Sequence, residues 1–465
     1  MPFSAYLDGK RKDCADLVAA LSPYFAYVSV LGTDVRSTAY TVTRSSSSIR
    51  DGEGECGFVV KLHDGGAFYE YSLDDISGDK QALAQKIIEA VRVNDSLKSR
   101  AISVKALEDA PMKKDFVRET DFAGFNDADL LAQCSALKDE LLGKDEKVLN
   151  AFVSLSPWEV SKLFVSRNRE LSQYYGWANG FLMVVYRDGK LVRARHGEGS
   201  DSMASVIEGL KAHTDDVIEL AKHLTTAKPI EPGMYDIITD SSITGLIAHE
   251  AFGHGVEMDQ FVKDRALAKK FIGEYVASPI TNMHDGAGAT HSVASYFFDD
   301  DGVPAHDTQI IRDGILVAGL SDLGSATQLG TEPTGNGRRE SYARKAYSRM
   351  TNTFFSAGKD KLEDMIVSIK HGYMLFETNN GMEDPKNWQI QCTAEYGIEI
   401  VDGKLTDNYV SPVVISGSVP DLLKSISMIS DDFKVIGSGH CGKGYKEWVR
   451  VADGGPNLKA RVKLG

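Results

Sequence analysis

The segment from Asp240 to Asp259, DSSITGLIAHEAFGHGVEMD, sets His249, Glu250 and His254 in a His-Glu-x-x-x-His pattern. Imidazole and carboxylate are the ligand and base types of zinc hydrolysis, whose familiar motif spaces its histidines four apart on one helix face. Here the step is five. Five residues of a regular α-helix turn about 140° past a full turn. Two imidazoles so placed do not share one cation, whose nitrogen ligands sit at roughly 2.0–2.1 Å. The motif therefore either binds no metal or lies on a distorted helix. Gly253 and Gly255 flank His254, and glycine tolerates a break there. A wider, π-type turn draws positions five apart together and recurs at functional sites. We adopt the distorted helix, with Glu250 as general base toward a metal-activated water. Its other available part is a hydrogen bond that orients a ligand histidine.

Two histidines leave a catalytic zinc one protein ligand short. Cys441 lies in Gly437-Ser438-Gly439-His440-Cys441-Gly442-Lys443-Gly444, where glycines let a loop present a thiol. Beside a metal that thiol is deprotonated. Glu257, three residues past His254, makes a two-His, one-carboxylate set and is the main competitor. His284, His291, Cys392 and His440 are further rivals. The polar stretch Gly330–Phe354 carries Arg338, Arg339 and Tyr342, the substrate-binding candidates. Arginine there can stabilise an oxyanion or dock a terminal carboxylate; the alternative is a solvated loop.

The elements that must position these groups follow from periodicity. Asp240 or Ser241 caps a helix whose Ile243, Leu246, Ile247, Ala251 and Phe252 form one apolar face. The strand Tyr235–Thr239 leads into it. The stretch TTAKPIEPG (225–233) marks a boundary between residues 1–228 and 229–465. In the first part, a helix Lys10–Leu21 precedes strands Phe25–Val30, Thr38–Thr43, Phe58–Leu62 and Ala67–Tyr71, then a helix Lys80–Val91. Residues 99–126 read as a surface crossing. After a helix Ala128–Leu142 the order repeats. Ala151–Ser154 echoes Ala26–Ser29, a hairpin joins Phe181–Tyr186 to Leu191–Arg195, and Ser202–Leu224 is helical. This predicts an N-terminal α/β domain with a duplicated strand-meander-plus-helix unit, convergent hairpin chemistry being the alternative. In the second part Asp264–Phe271 and Asp360–Lys370 read as helices. Val293–Phe298, Thr308–Ile311, Ile315–Leu320, Gln389–Glu399, Val413–Gly417 and Lys434–Ile436 read as strands. The short DDDG, RDG and VDG turns call for antiparallel neighbours, so the fold class is α+β.

The 465 residues suffice for two or three domains. A net charge of −14 argues against nucleic acid as the main partner and disfavours a direct DNA-binding regulator. No apolar run is long enough to span a bilayer, and the first residues lack a signal-peptide pattern. Five scattered cysteines point to a reducing, cytoplasmic setting.

Four blocks in order, HEAFGHGVEMD, YFFDDDGVPAHDTQIIRDGIL, PTGNGRRESYARKAYSRMTNTFF and GHCGKG, resemble the TldD/PmbA family of metallopeptidases, in its TldD branch. The resemblance covers the C-terminal half. It implies a Zn2+ peptidase cutting unfolded or short peptides laid as an added strand in an internal cleft. It also implies His249, His254 and Cys441 as ligands, which lifts Cys441 above Glu257, and Glu250 as base. Implied partners are peptide substrates and a second subunit, in a homodimer or in a heterodimer with a PmbA/TldE-type paralogue. The Cys441 loop reads CGKGYKEW where the family usually has C-G-K-E-G-Q, a departure that bears on cleft shape and partner contacts. The alternative function is a non-catalytic peptide- or protein-binding subunit with a structural metal; the intact Glu beside the His pair speaks against it.

Overall fold

The structure is a computed structural model that describes residues 2–52, 54–92, 110–437, 439–443 and 447–465. Part of the predicted surface crossing (99–126) lies outside these residues; its later part contains the strand Met112–Val117.

Among the described residues, eight strands build the first sheet. Its spine runs Phe68–Leu73, Glu55–His63, Tyr27–Thr43, Val148–Ser166 and Arg169–Asp188, with Lys190–Ser200 beyond. The pattern of helix, antiparallel strands and helix occurs twice, first from Arg11–Leu21 through four strands to Lys80–Arg92 and again from Asp127–Lys144 through three to Met203–Ala212. The two meanders meet antiparallel along Tyr27–Thr43 and Val148–Ser166. Their helices bury two apolar cores, one around Leu17, Ile87 and Phe58, the other around Leu137, Leu182 and Leu210.

Two predictions here are corrected. Phe25–Val30 and Thr38–Thr43 belong to one strand, Tyr27–Thr43, because neighbours on both sides satisfy its backbone through the polar middle. The helix Ser202–Leu224 is two, Met203–Ala212 and Thr214–Thr226. They break at His213, whose Nδ1 bonds back to the carbonyl of Gly209 at 2.8 Å.

The second part is dominated by antiparallel pairing. Gly233–Thr239, Leu458–Leu464, Val413–Ser418, Gln389–Val401 and His371–Asp384 pair in a closed ring, only Gly233–Thr239 with His371–Asp384 being parallel. A six-stranded sheet from Ile315–Leu316 to Lys434–Ile436 packs beside it. Val293–Phe298 is a loop, not the predicted strand. Its Val293, Ala294 and Tyr296 pack on Tyr175 and Trp177 of the first sheet. The Gln173 amide replaces a ladder there, accepting from the Phe297 N–H at 2.9 Å and donating to the Phe298 carbonyl at 2.8 Å. Asp264–Phe271 holds only a 3₁₀ turn, Leu267–Phe271, and Ile315–Leu320 is shortened to Ile315–Leu316.

Among the described residues, strands up to Ser200 and strands from Gly233 onward form separate sheets. Buried ion pairs join the parts: Lys61 with Asp301, Lys162 with Asp300, and Arg339 with Glu70.

Candidate metal centre

Asp240 ends its strand and caps the motif helix, Oδ1 accepting from the Ile243 N–H at 2.7 Å and Oδ2 from the Glu377 N–H at 3.1 Å. The helix begins as α over Ser241–Leu246 and widens to a π-helical turn over Ile247–Gly253. There the His254 N–H donates to the His249 carbonyl, five residues back. The widening brings the two imidazoles to 5.1 Å between centroids, nearly perpendicular at 87°. A side chain at Gly253 would start 2.0 Å from the Met350 sulfur, which accounts for glycine there.

Cys441 reaches this helix from an antiparallel hairpin, His440–Lys443 with Glu447–Arg450. Its Sγ lies 3.5 Å from His254 Nε2. One donor atom each from His249, His254 and Cys441 fall within 4.8 Å of one another. A tetrahedral zinc with nitrogens at roughly 2.0–2.1 Å and sulfur at ~2.3 Å spaces N and S by about 3.5 Å. Burial opposes charge on His249, yet the Cys441 sulfur and Glu250 push its pKa up to about 9. Cys441 moves the other way: burial would raise its thiol, but His254 and His249 bring it well below its ordinary value. The pocket thus favours a thiolate compensated by positive charge; a bound metal would supply that charge in place of the imidazole protons, which must leave for the histidines to act as ligands. Among the described residues His249 Nδ1 is buried without a hydrogen-bond partner, leaving it a free donor atom. The residues fit zinc.

Glu250 projects beside the cluster, its Oε2 4.0 Å from His254 Nε2. A Cβ at Gly381 would meet its Cγ at 2.4 Å, so this wall of the cleft is shaped to the glutamate. Glu257 is placed behind the histidine: its Oε2 accepts from His254 Nδ1 at 3.1 Å and from Lys443 Nζ at 2.9 Å. Burial pushes this carboxyl up, but Lys443 and then His254 hold it at about 2. Arg349, 1% exposed, donates to the carbonyls of Cys441 at 2.7 Å and Glu447 at 3.1 Å and pins the hairpin. The other rivals are elsewhere. His284 pairs with Asp307, His291 with Asp201, Cys392 is in the core, and His440 is on the hairpin beside Cys441.

A cleft of about 910 Å³ opens over the cluster, walled by Thr378–Glu383 of the strand His371–Asp384. Sequence reasoning missed two of its carboxyls. Asp453 lies 3.7 Å from His249 Nδ1, and burial raises it to about 6 despite that histidine. Burial raises Glu383 well above the carboxylate range. Neither stands in a motif spacing.

The substrate-binding candidates do not gather at the cluster. Arg338 faces a neighbouring cavity, its Nη1 donating to the Met350 carbonyl at 2.6 Å. Arg339 is buried against Glu70 through two contacts of 3.2 Å. Tyr342 donates its N–H to Glu55 at 2.8 Å and its hydroxyl to Asp74 at 2.6 Å. The last two clasp the polar loop to the first sheet.

Residues 232–460 match the family profile of the PmbA/TldA metallopeptidase C-terminal domain. A metalloprotease of Synechocystis is 31% identical over 72% of this chain and 72% of its own length. A zinc metalloprotease TldD homolog of Saccharolobus solfataricus is 29% identical over 59% of this chain and 63% of its own length. The solved structure of TldE from Thermococcus kodakarensis shares the fold, with TM-score 0.73 and 19% identity over 97% of this chain and 100% of that one. The profile match, the Synechocystis relative and the four sequence blocks agree: the chain belongs to the TldD/PmbA family.

Proposed function

We propose that this chain is a zinc metallopeptidase of the TldD branch, hydrolysing unfolded or short peptides bound as extended strands in the cleft. The observation that carries the reading is the meeting of His249, His254 and Cys441 donor atoms beside the Glu250 carboxylate. These three residues hold the metal, which when bound supplies Lewis-acid polarisation of a peptide carbonyl and charge compensation for the developing oxyanion. Glu250 takes the proton of the attacking water and delivers it to the leaving amine. Glu257 fixes the His254 ring through Nδ1, and Arg349 fixes the hairpin that presents Cys441.

The cleft suits an extended peptide. Past Leu375 the outer edge of His371–Asp384 has no strand partner among the described residues, and Thr378–Glu383 of that edge line the cleft. Strand addition there uses backbone hydrogen bonds and is largely indifferent to side chains. Among the described residues no helix is long and apolar enough to cross a membrane. The reading keeps the cytoplasmic setting expected from the few, scattered cysteines. The reading includes dimerisation, with a second copy or a PmbA/TldE-type paralogue.

Glu250→Ala retains the metal and loses peptide hydrolysis by about 10²–10⁴-fold, the usual share of a general base. Cys441→Ala loses metal affinity by more than about 100-fold, beyond the cost of removing an outer-shell partner. Metal quantification and a peptide-cleavage assay on the chain, alone and with a neighbouring paralogue, read both. Undiminished cleavage by Glu250→Ala overturns the base assignment. A wild-type chain that holds metal and cuts nothing in either setting is a structural-metal binding subunit.

A further inference from the structure

Beside the Cys441 hairpin lies a second cavity of about 350 Å³, between the first sheet and the loops of the metal-bearing part. The hairpin pairs Cys441 with Val449 and His440 with Arg450. Side chains alternate across a strand, so His440 and Arg450 point away from the face that carries Cys441. His440 and Trp448 line both the cavity and the metal cleft, which makes the two spaces neighbours.

This cavity is lined by a buried guanidinium whose hydrogen bonds are incomplete. Arg450 is 4% exposed. Its Nη2 donates to Asn179 Oδ1 and to the Gly437 carbonyl, both neutral oxygens. Its Nε and Nη1 are buried with no hydrogen-bond partner among the described residues. Trp177, two residues before Asn179 on the same strand and therefore on the same face, also lines the cavity with its Nε1 unpartnered. Trp158 stacks on it at 5.7 Å and stiffens this wall. Arg338 and Arg339 add two further guanidinium groups to the lining, and Glu55, Asp299, Asp300 and Glu340 add carboxyls. Asp453 is felt electrostatically by both Arg450 and His249, so the cation and the metal cluster share one neighbourhood.

A buried guanidinium with unmade hydrogen bonds is costly, because desolvation is offset only by opposite charge and completed hydrogen bonds. Buried donors are seldom left unmade in native proteins. The guanidinium fork matches a carboxylate bidentately. We propose that this cavity is a carboxylate subsite of the peptide cleft, in which Arg450, assisted by Trp177 Nε1 and Arg338, takes a carboxylate of the bound peptide. That group is either the C-terminus or an Asp or Glu side chain near the cleaved bond. The inference rests on the cleft being a peptide site, and it narrows the substrate class to peptides presenting an anion there.

The test uses three probes: acetyl-pentaalanine as the free acid, the same peptide as the C-terminal amide, and that amide with glutamate at the central position. Binding is measured by calorimetry on the full-length, zinc-loaded Glu250→Ala protein, and hydrolysis on the unaltered chain. At least one acidic probe binds about 10- to 100-fold tighter than the neutral amide, the range of hydrogen bonds to a charged group. Preference for the free acid identifies the C-terminus; preference for the glutamate probe identifies a side chain. Arg450→Gln abolishes the ratio and Arg450→Lys keeps part of it. Where Arg450→Gln fails to fold, Arg450→Lys and Trp177→Phe carry the comparison, each lowering the ratio. Equal binding of all three probes, or a preference that survives Arg450→Gln, overturns the subsite. An acidic preference in binding without hydrolysis of any probe, by the chain alone or with a neighbouring paralogue, removes the peptidase reading and leaves the carboxylate site standing.

Discussion

At the scale of single residues, the centre depends on side chains that complete one another's electrostatics. His254 shows this most fully: its Nε2 faces Cys441 while its Nδ1 is held by Glu257, which Lys443 in turn neutralises. Removing the carboxylate leaves the ring free to turn and less basic. Glu257→Gln therefore binds zinc about 10- to 100-fold more weakly than the unaltered chain. Competition with a chromophoric chelator measures this, and unchanged affinity would mean that the hydrogen bond does not orient the ring. His249, Glu250 and His254 were legible because their spacing is local. Cys441 was legible only as a thiol among glycines, strengthened by the family resemblance. Glu257, close in sequence to His254, looked like a ligand, yet a turn of chain carries its carboxylate behind the ring. Asp453 and Glu383 carry no local mark, since only burial makes them unusual.

At the scale of elements, the π-helical turn decides whether the motif can work. An undistorted helix points His249 and His254 apart; the widened turn converges them, and packing of Met350 against Gly253 keeps it in place. Gly253→Ala forces a methyl onto the buried Met350 sulfur. It destabilises the fold by about 1–3 kcal/mol, as overpacking does, and lowers metal occupancy. Adding Met350→Ala makes room and restores part of the occupancy. Denaturant unfolding and zinc stoichiometry on the single and double variants check this; a fully occupied Gly253→Ala would show that the turn is indifferent to this contact. Spacing and flanking glycines predicted the distortion. They did not predict the merging of Phe25–Val30 with Thr38–Thr43 or the loop at Val293–Phe298, because remote partners supplied the hydrogen bonds in both places.

At the scale of the whole molecule, buried charge fastens the two parts on either side of the polar loop. Burial alone would raise the Glu70 pKa, but Lys61 and Arg339 lower it from 4.5 to about 2. A carboxyl depressed in the folded state stabilises above its unfolded pKa, and the contribution is lost as pH falls through the folded value. Glu70 thus contributes on the order of 3 kcal/mol at neutral pH, falling away between about pH 4.5 and 2. Glu70→Gln lacks this contribution, so its deficit in unfolding free energy is full at neutral pH and closes across that window. Urea unfolding of both proteins from pH 7 to pH 2 measures it, and a pH-independent difference would show that the pair does not carry the coupling. By itself the sequence determined the helix that bears the histidines, the antiparallel turns and the α+β class, because periodicity, capping and turn chemistry depend on near neighbours. Only the tertiary structure decided that a thiol 187 positions from His254 meets it. It alone decided that Arg339 and Tyr342 bind the first sheet while Arg450 Nε and Nη1 are buried without a hydrogen-bond partner among the described residues. Contacts between remote residues are set by sheet register and packing, which leave no pattern in any short stretch of chain.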